Sequence, residues 1–192
     1  MNHKLILFCG PSGSGKTTVV HSLLKDYPQF IFSVSATTRP KRANEKEGVD
    51  YYFLTEEEFK KRIENKEFLE WEEVYPGRFY GTLRKQVDEK LNNGSVVLFD
   101  VDVKGGISIK KHFSKQLLDV FIMPPSLTAL KQRLVARDSE TPESLEKRLA
   151  KSGLEMSYAD QFSYIIVNDE LPKALREAKL LVEDFLNRKS EV

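Results

Sequence analysis

Residues 5–20 read LILFCGPSGSGKTTVV, and the order of chemistry within them decides the fold. The apolar run closed by Gly10 predicts a strand buried on both faces. Gly10 to Thr17 then matches the pattern G-x-x-x-x-G-K-[ST], and the apolar spacing beyond it predicts a helix that stops at Pro28. A glycine-rich loop between strand and helix folds tightly, so that successive N–H groups and the positive helix end converge on an anion. The stretch therefore predicts a triphosphate cradle made of Gly10, Pro11, Ser12, Gly13, Ser14, Gly15, Lys16, Thr17 and Thr18. Within it Lys16 is expected to reach the β- and γ-phosphates and the Thr17 hydroxyl to ligate Mg²⁺.

Outward from the loop, the runs SVVLFDVD, LLDVFIMPP and FSYIIVND predict further buried strands. Between and after them, LTALKQRLVAR, PESLEKRLAKSGLEMSYAD and LPKALREAKLLVEDFLNRK predict helices. Strands alternating with helices predict an α/β fold, a parallel sheet flanked by helices. Phe30 to Thr82 breaks this rhythm with short aromatic segments around one helical piece, TEEEFKKRIENK, and predicts an inserted, mostly β subdomain. The polar run RDSETPESLEKR suits a small mobile lid. The expected organisation is one domain, 1–192, with a core of 1–30 and 83–192, an insertion at about 31–82 and a lid at about 137–148.

Bulk composition narrows the partners. Thirty basic against 29 acidic side chains leave a net charge of +1, so no overall field points to nucleic acid or an anionic membrane. No apolar stretch approaches the roughly 18 residues of a membrane span. Cys9 is the only cysteine, which excludes an internal disulfide and fits a reducing, cytoplasmic compartment. His3, His21 and His112 are too far apart in sequence for metal-ligand spacing.

Two further stretches carry chemistry. VVLFD delivers Asp100 to the carboxyl end of a strand, where a carboxylate holds Mg²⁺ through water or binds an acceptor substrate. ATTRPKRANEKEGVDYYF sets Arg39 and Arg42 around a proline, ahead of Tyr51, in a pattern that asks for an anion. A phosphate loop alone fits a GTPase, an ATP-driven motor or a small-molecule kinase. The guanine-reading N-K-x-D of a GTPase is missing, VNDE at 167–170 being the nearest match, and the chain has no room for motor appendages. The aromatic insertion points instead to an acceptor pocket.

GPSGSGKTT, SVSATTRPKR, EGVDYYF, FLEW, YGT, LFDVDVKG and IVND occur in the order seen in guanylate kinases, which pass a phosphoryl group from ATP to GMP. The chain resembles that family from about Leu5 to its last helix. The resemblance implies a P-loop NTPase-type sheet whose insertion binds a nucleoside monophosphate. It implies ATP as co-substrate with Mg²⁺, GMP or dGMP as acceptor, and a monomer or homodimer. Arg39 and Arg42 then offer planar forks to the acceptor phosphate, and the Tyr51 and Tyr80 hydroxyls each donate to it. Glu70, in FLEW, is expected to accept both guanine donors, N1–H and the exocyclic amine, which adenine cannot match. Ser35 and Thr82, with Gly81 beside it, are placed at the O6 and N7 edge, and Asp100 and Asp102 help fix base or acceptor. One departure stands out: Arg39-Pro40-Lys41-Arg42 replaces the family's usual order, and Asn44 stands where glycine is common.

For the chemistry, the resemblance makes Lys16, Arg39, Arg137 and Arg148 the catalytic cations. Arg133 and Arg137 share one helix face beside the lid, and Asn168 and Asp169 are placed near the adenine. The acceptor's own phosphate oxygen is the nucleophile, so no strong base is needed. Closure of the insertion and lid is expected to exclude water from the γ-phosphate. The alternatives are a related small P-loop kinase with another phosphorylated acceptor and a non-catalytic binding module of the same fold.

Overall fold

A computed structural model of the chain describes residues 4–113, 116–136 and 142–188, with 142–144 described in backbone alone. Strand β1 (Leu5–Cys9) is fully buried along its whole length. It is the middle strand of a five-stranded parallel sheet in the order β2 (Phe30–Phe32), β7 (Val96–Val101), β1, β8 (Leu117–Met123), β9 (Tyr164–Val167). Leu5, Leu7 and Cys9 point to one face, where Phe99, Phe121 and Phe162 complete a core with helices α3 (Arg84–Asn92) and α4 (Val103–Phe113). Ile6 and Phe8 point to the other, packing with Leu98 and Val120 under α1 (Lys16–Asp26) and α7 (Leu171–Asn187). Helices on both faces explain why β1 reads as an unbroken apolar run.

A second sheet, in the order β4 (Tyr52–Phe53), β3 (Ala36–Thr37), β6 (Arg78–Leu83), β5 (Phe68–Tyr75), forms the insertion. Helix α2 (Glu56–Glu64) starts in a capping box between Thr55 and Glu58 and drives Phe59 onto Phe68, with ring centroids 4.3 Å apart. Phe68, Phe79, Ala36 and Leu83 join Phe59 in a small core of their own. The insertion begins later than the aromatic pattern suggested. Phe30–Phe32 pairs parallel with β7, and the Ser33 N–H donates to the Leu98 carbonyl at 2.9 Å, so these residues belong to the main sheet.

Two helices escape the apolar spacing. Helix α3 buries only Val87 and Leu91, and α4 contains Gly105 and Gly106, poor helix formers. Packing explains both glycines: a Cβ on Gly105 would lie 2.7 Å from Glu70 Oε2, and one on Gly106 3.2 Å from the Cys9 Cβ. Helices α5 (Leu127–Val135) and α6 (Pro142–Met156) flank the expected lid. Residues 142–148 of that lid are the opening turns of α6. Residues 137–141, Arg137 among them, lie outside the described residues.

The strand order reverses around β1: the chain moves from β1 to β2 and β7 on one side, then crosses to β8 and β9 on the other. At such a switch point the carboxyl ends of the strands open a crevice. Here it faces the insertion.

Candidate active site

The phosphate loop leaves β1 and caps α1 at Gly15, which takes a left-handed φ of 93°. Lys16 is the first residue of the helix, so the loop and the free N–H groups of the first turn face the crevice together. Asp100, at the end of β7, engages both side chains that follow Gly15. Its Oδ1 lies 3.0 Å from Lys16 Nζ, and its Oδ2 accepts from the Thr17 hydroxyl at 2.7 Å. Burial pulls the Lys16 ammonium toward a lower pKa, but the Asp100 charge and hydrogen bond outweigh it and the net shift is upward. Lys16 therefore stays charged.

Thr17 and Asp100 offer adjacent hard oxygens. No group of three or more His, Cys, Asp or Glu gathers as a metal cage among the described residues. That combination fits Mg²⁺, which takes one or two protein oxygens and keeps water and phosphate for the rest.

A cleft of about 230 Å³ runs from Gly10, Lys16 and Thr17 to Glu70, between the main sheet and the insertion. Ser35, Tyr51 and Tyr80 line it from the insertion, Asp100 and Asp102 from the end of β7, and Arg148 and Lys151 from α6. Tyr51 meets the Tyr80 ring edge-on, centroids 6.1 Å apart. Burial, then the Asp100 charge, raise the Tyr51 pKa, so its hydroxyl remains a proton donor.

Glu70 is 9% exposed and accepts from the Thr82 hydroxyl at 2.6 Å. Burial pushes its pKa up to about 7; the Thr82 hydrogen bond opposes this, and the charges of Asp102 and Glu72 add to it. Thr82 is 1% exposed and lies behind Glu70 rather than on the cleft surface. Gly105 lets the α4 backbone pass against the same carboxylate. Glu70 is thus held by Thr82, through its hydroxyl and its backbone, with the cleft on the other side of the carboxylate.

The two arginines of ATTRPKRANEKEGVDYYF stand apart from that surface. Arg39 makes a fork to Glu45 at 2.6 and 2.8 Å and stacks over the Tyr51 ring, 5.1 Å from its centroid. The Arg42 N–H also donates to Glu45, at 2.8 Å, while the Arg42 side chain is exposed. The Arg39 hydrogen bond holds the Glu45 carboxyl down at about 2, despite the opposing effect of burial. Neither arginine lines the cleft. Asn44 keeps a negative φ, since Lys66 is the only non-glycine residue with positive φ among those described. The loop therefore turns without the backbone freedom that glycine would supply at that position.

Several contributors escaped the sequence reading. Glu72, two residues from Glu70 on β5, lines the cleft, pairs with Lys104 at 2.9 Å and is pushed up to about 7 by burial and then by Asp102. The period of two along a strand was the signal. Asp102 accepts from the Gly105 N–H at 2.9 Å, and Lys151 lies 3.9 Å from it and 3.4 Å from Glu155. Lys151 sits three residues after Arg148, on the same helix face. Glu45 carries no motif at all.

Among the described residues Arg133 pairs with no glutamate. Its Nη2 donates to the Asn168 carbonyl at 2.8 Å and lies 3.4 Å from the Asp169 carbonyl. Asn168 is 4% exposed, and neither it nor Asp169 lines the cleft.

The guanylate kinase family model matches residues 2–185. The chain belongs to the guanylate kinase family. It is 50% identical to a guanylate kinase of Bacteroides thetaiotaomicron over 98% of this chain and 92% of that protein. It is 45% identical to one of Salinibacter ruber, over 97% of this chain and 98% of the relative. Among solved structures, a guanylate kinase from Anaplasma phagocytophilum superposes with a TM-score of 0.78 at 29% identity, covering 98% of this chain and 88% of that one. A shikimate kinase from Bacteroides thetaiotaomicron, 16% identical with a TM-score of 0.51 over 96% of this chain and 99% of that one, shares the fold. Among the described residues no helix is long and apolar enough to cross a membrane.

Proposed function

We propose that the chain transfers the γ-phosphoryl group of ATP to GMP, and to dGMP, giving ADP and GDP or dGDP. One observation carries this: a single cleft has the phosphate-loop lysine at one end and a buried carboxylate, Glu70, at the other. Lys16 and the amides of the loop bind the donor phosphates. Glu70, once ionised, accepts the N1–H and N2–H of guanine. Adenine would set a lone pair against it and leave the carboxylate unpaired, and mismatches of that kind reach about 10⁴-fold in discrimination.

Ser35 adds a hydroxyl to the base end, and Tyr51 and Tyr80 add donors to the phosphate end. Arg39 and Arg42 supply the charge for the acceptor phosphate, which requires the insertion to close on the core. Thr17 and Asp100 would hold Mg²⁺, which when bound would supply charge neutralisation for the donor phosphates. An acceptor phosphate oxygen attacks the γ-phosphorus in line as the bond to the β-bridging oxygen breaks, and no proton need leave first. Arg148 faces the cleft from α6 and stabilises the moving group; Arg133 braces the wall behind it. Closure excludes water that would otherwise take the phosphoryl group. We assign this activity to the cytoplasm, where a free buried thiol such as Cys9 stays reduced.

The test is ADP release from the purified chain with Mg²⁺ and ATP, across GMP, dGMP, AMP, UMP and ribose phosphates. Turnover is expected with GMP and dGMP. Equal rates with AMP, or no GDP at all, would overturn the reading.

A further inference from the structure

We propose that Asn168 is a positioning residue for the phosphate loop, holding its shape from beneath rather than reading the adenine. This rests on the functional reading above for the identity of the donor, but its evidence is separate. The Asn168 amide donates from Nδ2 to the Ser14 carbonyl at 2.7 Å, across 154 residues of chain. Both partners are buried, Ser14 completely and Asn168 to all but 4%. The fit is tight: a Cβ on Gly15 would lie 2.1 Å from the same Nδ2. Gly15 is therefore demanded twice, by its φ of 93° and by the amide that fills the space beside it.

Asn168 is itself fixed on both sides. Its N–H donates to the Met123 carbonyl at 2.8 Å, continuing the pairing of β8 with β9. Its carbonyl accepts from Arg133 at 2.8 Å, which ties the same residue to α5. The phosphate loop, the end of the main sheet and a helix beside the lid thus meet at one buried residue. The Ser14 N–H donates to the Pro11 carbonyl at 3.1 Å, so Ser14 is anchored through both main-chain groups while the neighbouring amides stay available to phosphate. A base reader would need an amide edge open to the cleft. Here Nδ2 is committed to Ser14, and Oδ1 is buried with no hydrogen-bond partner among the described residues.

The two roles predict different specificity. A reader of adenine acts on ATP relative to other triphosphates, whereas a support of the loop acts on every ligand that places phosphates there. Asn168→Ala removes the donor, and Asn168→Asp also sets a negative acceptor against the Ser14 carbonyl beneath an anion site. Binding is measured by calorimetry for ATP, GTP and inorganic tripolyphosphate, with GMP as a control for folding. In Asn168→Ala all three triphosphates are expected to weaken together by about tenfold, and more in Asn168→Asp. The ATP-to-GTP ratio and GMP affinity are expected to hold.

Loss of the ATP preference with tripolyphosphate unchanged would overturn the proposal in favour of adenine reading. Unchanged binding of all three would overturn it outright. Loss of GMP binding in both variants and in Asn168→Ser would show a role in the whole core, which also overturns it. A wild-type chain that binds these ligands but makes no GDP would sink the functional reading and leave this test standing.

Discussion

On the donor wall of the cleft the groups that meet the ligand are main-chain amides, shaped by Gly15 and pinned at Ser14 by a buried side chain. On the acceptor wall they are side chains: Glu70, Tyr51 and Tyr80, carried on a small sheet with a core of its own. In the proposed function the donor wall would grip any triphosphate, because amides aimed at oxygen carry no information about the base. The acceptor wall would discriminate, because a carboxylate in a dry site is costly to leave unpaired. The donor wall also arrives preformed, with Lys16 and Thr17 already on Asp100. On the acceptor wall Arg39 is bound to Glu45, so in the proposed function its phosphate clamp would be completed only on closure of the insertion.

Substitutions can break or sharpen this contrast. The largest effect is expected on the donor side. Lys16→Ala should lower kcat by about 10³-fold with GMP affinity preserved, since it removes a preorganised charge that acts on the moving phosphoryl group. Rapid-quench turnover beside equilibrium GMP binding separates the two quantities, and a matching loss of GMP affinity would erase the division between the walls.

Next comes Glu70→Gln, expected to lower kcat/KM for GMP by about 10²-fold while KM for ATP holds. It should also change the response to pH. Glu70, pushed up to about 7, must ionise to accept two guanine donors. In the parent, kcat/KM for GMP should therefore rise with pH up to about 7 and then level. Glu72, also at about 7, faces the same cleft and adds to the profile, so Glu70→Gln should flatten the rise without abolishing it. Stability carries the opposite sign. The native carboxyl holds a proton that the unfolded chain, near 4.3, releases, so its contribution falls as pH increases from about 4.3 through about 7. That slope should shrink in Glu70→Gln, as thermal melts across this range would register.

Glu45→Gln is expected to raise KM for GMP by about tenfold, because a charged fork worth on the order of 1.5–3 kcal/mol no longer aims Arg39. Guanosine, which lacks the phosphate, should bind as before; a matching loss would assign Glu45 to the base end instead. Glu45 is held at about 2, so the stability it contributes is present above about 4.3 and is lost as pH falls toward 2. The smallest change is Thr82→Val. It removes one donor to Glu70 and should raise KM for GMP about threefold while moving the pH midpoint upward. An unmoved midpoint would mean that the Thr82 hydrogen bond does not tune Glu70.

Four of the five main-sheet strands were legible as continuous apolar runs, while β2 read as part of the insertion, and the phosphate loop was legible because its chemistry is contiguous in sequence. Helix α3 was not legible, since two buried residues make too weak a periodicity, and the glycines of α4 argued against the helix they help to pack. The acceptor wall was legible only as scattered motifs matched to a family. Glu45 stayed hidden because nothing in a lone charged residue announces its partner, and Glu72 and Lys151 were marked only by their spacing from Glu70 and Arg148. The place of Asn168 after β9 puts it near the donor site, but only its contact with Ser14 shows where its Nδ2 donates.

Sequence alone determined the α/β plan, the anion cradle and the expectation of a separate acceptor wall, because these depend on local order: apolar runs, a glycine loop, a helix start. Tertiary structure decided which carboxylate is buried enough to hold a proton near neutrality, which arginine is already paired, and which amide supports the loop. Those outcomes depend on burial and on contacts between residues far apart in the chain, such as Ser14 with Asn168 and Thr17 with Asp100, whose energies do not exist until the chain has folded.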